Sequence, residues 1–356
     1  MRRYLAQIEQ LVGDHGEVAI FVAILMVAIL GLAALAVDIG FTLVTRNELQ
    51  NASDSAALAA ARKLGSIYEP MTYEQQQAYI CDPSTIVLVA QQVALSNRAA
   101  REQTDVVIGR WDASTKTLNP TLNQPDAVSV AARRESTANS PVTTFFAKVF
   151  GIGTFSVRAK ATGALTGEST AGPGRLPFPA GISKFWFSRP EYCNQFINFY
   201  PTGTSEGCTG WNTYAESQAN AAELKIILQG LKNGTYQSPE TIAGKTEFNF
   251  IGDTDTSAFD DIQALFDTMK VLNDGIVDAD NDPTSWTTTV PVYDWPDCSN
   301  PNGPITIVGF ATVKITQVLV TPQKTIIAKV LCNDVRPGRG GGEPYGTKGS
   351  IPGLVQ

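Results

Sequence analysis

The chain has 356 residues, 43% hydrophobic and 17% charged, enough for about two domains of ordinary size with ordinary cores. A formal net charge of −7 without a long basic run sets nucleic acid aside as a partner. The single histidine, His15, precedes the apolar run, which excludes Ser-His-Asp, Cys-His and multi-histidine metal devices from the remainder. Five scattered cysteines form no CxxC pair, so zinc and thioredoxin-like patterns are absent, and the chain is not read as an enzyme.

Residues Val18–Val37, VAIFVAILMVAILGLAALAV, run for twenty positions without a charge. At 1.5 Å per residue a helix of that length spans about 30 Å, the thickness of a bilayer core. A secretory h-region is shorter, usually about 7–15 residues, so the Ala34-Leu35-Ala36 mimic of a cleavage site is the lesser reading. Arg2 and Arg3 precede the run and Arg46 is the first basic residue after it. That small excess predicts a cytoplasmic leader over 1–17 and places everything after Asp38 outside the cytoplasm.

The helical pattern continues past the span. Phe41, Thr45, Leu49, Ala52, Ala56 and Ala59 share one stripe, opposite Arg46, Asn47, Gln50 and Asp54. Good helix formers persist to Leu64, and Gly65 is the expected C-terminal stop. A continuous helix from Val18 to Leu64 would be roughly 70 Å long, and its small residues invite a closely packed neighbour. The other reading is an anchor followed by a separate short helix.

Beyond Gly65 the pattern predicts a helix over Ser84–Glu102 and two strands in TDVVIGRWDASTKTL with a turn at Asp112-Ala113-Ser114. A strand follows in 126–134, then a helix in 140–151 with a serine cap, proline at its first position and a glycine stop, and a last strand in 154–165. Residues 38–166 thus read as a helix leading into a small antiparallel α+β domain. Gly/Pro-rich 167–179 reads as a linker. A second, β-rich α+β domain is expected over 180–336. It would hold helices near 217–232 and 257–272 (Asp260 in a capping position) and a long hairpin turning at Thr321-Pro322-Gln323. Residues 337–356 read as a flexible tail.

Four cysteines lie in the second domain. If it is extracytoplasmic they pair in one of three ways, and nearness along the chain favours Cys193–Cys208 with Cys298–Cys332. Cys81 is then odd. Asp278, Asp280 and Asp282 have the 1, 3, 5 spacing that converges oxygens on Ca2+. The EF-hand pattern fails at once, with Pro283 for its glycine and Thr289 for its bidentate glutamate, so a calcium site and a solvated acidic loop both stand. Tyr192, Trp211, Trp286 and Trp295 read as core or, alternatively, as a sugar-binding surface. Gly338–Gly342 is not followed by the lysine and hydroxyl of a phosphate loop.

The N-terminal segments Gly16-Glu17-Val18-Ala19, Ala36-Val37-Asp38-Ile39-Gly40 and Leu49-Gln50-Asn51-Ala52-Ser53-Asp54-Ser55-Ala56-Ala57-Leu58-Ala59-Ala60 resemble TadE/TadG-like Flp pilus-assembly proteins. Segments around Gly109-Arg110-Trp111, Asp126-Ala127-Val128 and Phe145-Phe146-Ala147 extend that resemblance over about residues 14–165. It implies a pilin-like plan, a long helix laid on a sheet. It also implies a bacterial inner-membrane protein with one span and its bulk in the periplasm or at the cell surface. The role implied is structural, through contacts with other pilus-assembly membrane proteins or pilins, with a homo-oligomer left open. Prepilin-type processing wants glycine before the cut and glutamate fifth after it. Here Gly13 puts Glu17 fourth and Gly16 puts Phe21 fifth, which favours an anchored TadG-like protein over a processed minor pilin. An anchored, adhesin-like surface module is the further alternative. The Asp112-Ala113-Ser114-Thr115-Lys116 segment lacks the second serine of the DxSxS metal motif found in larger relatives.

Overall fold

The computed structural model describes residues 2–97, 104–189, 191–201, 207–252, 258–272, 283–321 and 323–355, with backbone alone for 2–17. One helix, α1 (Arg2–Tyr68), opens the chain, followed by α2 (Tyr73–Gln77) and α3 (Pro83–Ser96). Next come β1 (Thr104–Asp112), β2 (Thr117–Pro120), β3 (Ala127–Arg134), β4 (Val142–Thr143), β5 (Thr154–Phe155) and β6 (Val157–Ala164). Then follow β7 (Thr170–Ala171), β8 (Ala180–Ser183), β9 (Phe196–Phe199), β10 (Thr209–Trp211), α4 (Ala221–Asn233), β11 (Thr241–Ile242), β12 (Glu247–Phe250) and α5 (Phe259–Leu272). The chain closes on β13 (Trp286–Tyr293), β14 (Gly303–Leu319), β15 (Thr325–Leu331), β16 (Asp334–Arg339), β17 (Thr347–Ile351) and β18 (Gly353–Leu354). The class is α+β, a long apolar helix followed by mostly antiparallel sheets, as expected.

Two larger sheets collect most strands. One has the order β18-β6-β3-β1-β2; the other runs β10-β8-β13-β14-β15-β9, with β12 also pairing β14. By packing, the chain falls into two compact units, Met1–Ala56 with Gln91–Asp105 and Val130–Ala161, and Ala57–Ala90 with Val106–Ser129 and Thr162–Gln356. The division cuts α1, α3, β1, β3 and β6, so it differs from the expected boundary at 167–179.

The second unit holds the main apolar core, built on the antiparallel trio β13, β14 and β15. Alternation along β14 and β15 buries Ile305 and Ile307, and Ala328 and Val330, while β13, with Val290 and Val292, is buried throughout. Trp211 and Trp286 are buried edge-on to Phe178, at 5.6 and 5.9 Å, and Trp295 and Tyr192 pack against the same cluster. Trp211 and Trp286 are core, while Tyr192 and Trp295 are half-buried at its edge. Helix α4 begins where the Asn220 side chain accepts the Glu223 N–H at 2.9 Å and ends before Gly234, whose φ of 72° suits glycine. Leu224, Ile227, Leu228 and Leu231, spaced for one face, are buried at a gain of roughly 2 kcal/mol each. Asp260 is the second residue of α5, inside its first turn and not in the expected capping position.

Several expectations are corrected. Gly65 does not stop α1, which runs on to Tyr68. A Cβ there would overlap the Ser350 carbonyl oxygen, so the glycine serves a close approach by β17 and not a left-handed cap. Arg62 Nη1 donates to that carbonyl at 3.2 Å and to Glu69 at 2.7 Å, while Ser350 Oγ donates to Glu69 at 2.6 Å, tying the helix end down. The 140–151 stretch is not a full helix but β4 followed by a single 3-10 turn over Ala147–Phe150. The supposed linker contains β7 and the buried Glu168, Leu176 and Phe178. The supposed tail carries β17 and β18, with Gly353 and Leu354 paired to Ala164 and Gly163. Its glycines let it lie close to 166–170. A Cβ at Gly342 would overlap the Glu168 backbone oxygen, and one at Gly338 the Glu168 carboxyl. The disulfides are Cys193–Cys332 and Cys208–Cys298, not the nearest-neighbour pairing. Chain distance misled because β9 lies beside β15, and β8 lies between β10 and β13, bringing sequence-distant cysteines together.

Candidate functional site

Of α1, the stretch from Val18 to Val44 keeps its large apolar side chains exposed. It is long and apolar enough to cross a membrane. Burial then begins on one stripe: Asp38, Thr45, Leu49, Ala52, Ser53, Ala56, Ala57, Ala60, Ala61 and Leu64. Of the expected packing residues, Leu49, Ala52 and Ala56 are buried, Ala59 is half-buried and Phe41 is exposed. The stripe turns toward Ala57 and Ala60 because burial now follows two adjacent rows of the helix surface.

That stripe meets the protein's own strands. Ser53 Oγ accepts the Ala132 N–H of β3 at 3.2 Å and donates to the Ala159 carbonyl of β6 at 3.4 Å, while Gln50 Nε2 donates to the Lys160 carbonyl at 3.3 Å. Further along, a Cβ on Gly163 would come within 2.7 Å of the Ala57 carbonyl oxygen. Small residues on both partners permit this contact, which answers why the alanine run is there.

Asp38 stands where the apolar span ends. Its Oδ1 accepts the Phe145 N–H at 2.7 Å; its Oδ2 accepts those of Phe146 at 3.0 Å and Ala147 at 2.6 Å. A carboxylate thus satisfies three backbone donors at the start of the 3-10 turn, and Phe41 meets Phe145 edge-on at 5.4 Å. The loop closes through Thr144, whose N–H reaches the Gly153 carbonyl and whose Oγ1 donates to the Ile152 carbonyl at 2.6 Å. Sequence reasoning missed this use of Asp38 because nothing local links residues 109 positions apart.

Other polar groups support the scaffold. Asp126 accepts the Trp111 N–H at 2.7 Å and pairs with Lys348 at 2.6 Å. Gln76 bonds Val335 in both directions, Oε1 from its N–H at 2.8 Å and Nε2 to its carbonyl at 3.0 Å. Asp334, fully buried, accepts from Thr312 at 2.7 Å and from Arg336 at 2.6 Å. Beside them burial pushes the Glu168 carboxyl up to about 8, against the pull of the Arg175 and Arg336 guanidinium groups. Asp112 accepts from Ser114 and Thr115 in its own turn, which lowers it to about 2.

Among the described residues no group of three or more His, Cys, Asp or Glu could hold a metal ion. Asp278, Asp280 and Asp282 lie outside the described residues. Cys81 is buried and unbridged.

Residues 16–63 match the family of Flp pilus-assembly TadE/G-like proteins, and residues 45–162 match the Tad-like Flp pilus-assembly family. Neither a curated protein nor a solved structure matches the chain. The two matches overlap on the helical stripe and take in Asp38, Ser53, Asp126 and the loop that Asp38 holds. Residues 16–162 thus carry the likeness to TadE/TadG-like Flp pilus-assembly proteins.

Proposed function

We propose that the protein is a single-pass, membrane-anchored structural component of Flp (Tad) pilus assembly, acting through protein–protein contacts of its extracytoplasmic part. The observation that carries this reading is the form of α1. Its exposed apolar span passes without a break into a stripe packed on the chain's own strands. The family points to an assembly role and not to catalysis. A cytoplasmic N-terminus is supported by Arg2 and Arg3 ahead of the span. Two disulfides fit an oxidising compartment for the rest. The partners are other pilus-assembly membrane proteins or pilins, with self-association as a further contact.

The test is co-purification of the tagged full chain from cross-linked membranes, with photo-reactive residues at exposed α1 positions 43, 47 and 51. Recovery of other pilus-assembly subunits supports the reading. Recovery of none, from cells that make the pilus, leaves only an anchored protein. An unprocessed Met1 in mass spectra of the membrane form excludes the minor-pilin alternative; a new N-terminus at Asp14 or Glu17 establishes it.

A further inference from the structure

Most of the loop between β4 and β5 lies outside the packing. Of residues 144–153 only Thr144 and Ala147 are buried. Phe145, Phe146, Val149, Phe150 and Ile152 are all exposed, Val149 by 84% and Phe150 by 76%. Five large apolar side chains on one closed turn are more than scattered surface hydrophobics, and such a patch marks a contact. The stretch 140–153 contains no acidic residue and one basic residue, Lys148.

The position of this loop is set by Asp38. Three backbone N–H bonds hold it to the residue that follows the twenty-residue apolar span, and the Phe41–Phe145 ring contact extends the join. Exposed apolar side chains also continue on α1 beyond Asp38, at Ile39, Phe41, Leu43 and Val44, before Arg46. From Val18 to Val44 the helix covers about 40 Å, the core of a bilayer plus part of its headgroup layers. The exposed loop and the exposed helix therefore meet at the depth where hydrocarbon gives way to headgroups.

We propose that residues 144–153 form a second membrane contact, inserting Phe145, Phe146, Val149 and Phe150 into the lipid interface at the Asp38 end of the span. This rests on reading Val18–Val37 as a transmembrane segment. Aromatic rings are favoured at that depth, and a lysine among apolar neighbours extends its ammonium to anionic headgroups. The occupant is lipid because the patch is continuous with the span that lipid surrounds. Asp38, its charge met by three N–H donors, makes the junction tolerable close to hydrocarbon. The helix and loop together would restrain rotation and tilt of α1 as a single anchor point would not.

The experiment uses the full chain in vesicles of phosphatidylcholine and phosphatidylglycerol, with Cys81→Ser as background. A nitroxide is placed in turn through Met26→Cys, Val149→Cys, Phe150→Cys and, in the polar β1–β2 turn, Lys116→Cys. Collision rates with oxygen and with a water-soluble nickel chelate are then read. The proposal expects labels at 26, 149 and 150 to favour oxygen several-fold over the label at 116. Lipid-like behaviour at 26 with water-like behaviour at 149 and 150 overturns the loop contact while leaving the anchor. That second pattern would free the patch for a protein partner. Water-like behaviour at 26 overturns the transmembrane reading, and the loop contact with it.

Discussion

Asp38 and Ala147 stand 109 positions apart in the chain, yet the Asp38 Oδ2 accepts the Ala147 N–H at 2.6 Å. With the Phe145 and Phe146 bonds it converts the end of an apolar helix into the cap of a distant turn. Charge-assisted bonds of this type are each worth about 1.5–3 kcal/mol. Asp38→Ala should therefore raise amide exchange at 145–147 by about tenfold or more, while α1 and the main core stay protected. Asp38→Asn, which keeps one acceptor oxygen, should fall between. Unchanged exchange in the alanine variant would show that the loop holds itself.

Gly65 offers a test of sign. On an exposed helix a glycine-to-alanine change stabilises by about 0.5–1 kcal/mol. Here the new Cβ meets the Ser350 carbonyl, and overpacking of that type costs about 1–3 kcal/mol. Gly65→Ala should lower the Tm of the detergent-solubilised chain, and a higher Tm would disprove the close approach of β17.

Ser53 is fully buried between two strands, accepting from Ala132 and donating to Ala159. Ser53→Ala fits the space but leaves the Ala132 N–H without that acceptor, at a cost of about 1–2 kcal/mol. Thermal unfolding should show it as a fall in Tm, larger than for alanine placed at the exposed Asn51.

Glu168 sets a pH dependence. Its folded value of about 8 lies above the ordinary 4.5, so the folded state holds a proton that the unfolded state releases. Its contribution is fully present below 4.5 and is lost as pH rises through 8. Glu168→Gln should flatten the decline in stability across that window and leave the variant more stable than the parent above it. Parallel pH curves for the two proteins would mean that Glu168 is ionised in the fold.

Non-reducing peptide mapping should recover Cys193 with Cys332 and Cys208 with Cys298. Loops this long, 139 and 90 residues, contribute on the order of 4–5 kcal/mol by the loop-closure argument. Cys208→Ser with Cys298→Ser should accordingly lower Tm clearly under oxidising conditions and little under reducing ones.

The sequence by itself determined what depends on neighbours a few residues away. The twenty-residue apolar run, the absence of a break after it and the alanine-rich stripe are local patterns, and α1 follows from them. So do the Asp112 turn, a helix near α4 and the long β14–β15 pair. Tertiary structure decided what depends on residues brought together from far apart. Gly65 looked like a stop because glycine tolerates a left-handed cap, but the Ser350 carbonyl needed its missing Cβ. Residues 140–151 had serine, proline and glycine signals for a helix, yet the β4–β5 pairing and the Asp38 carboxylate shaped them into a single tight turn. The glycine-rich end read as flexible because composition cannot show that Glu168 and its backbone lie against those glycines. Cysteine spacing likewise could not reveal strand order, and strand order chose the disulfides.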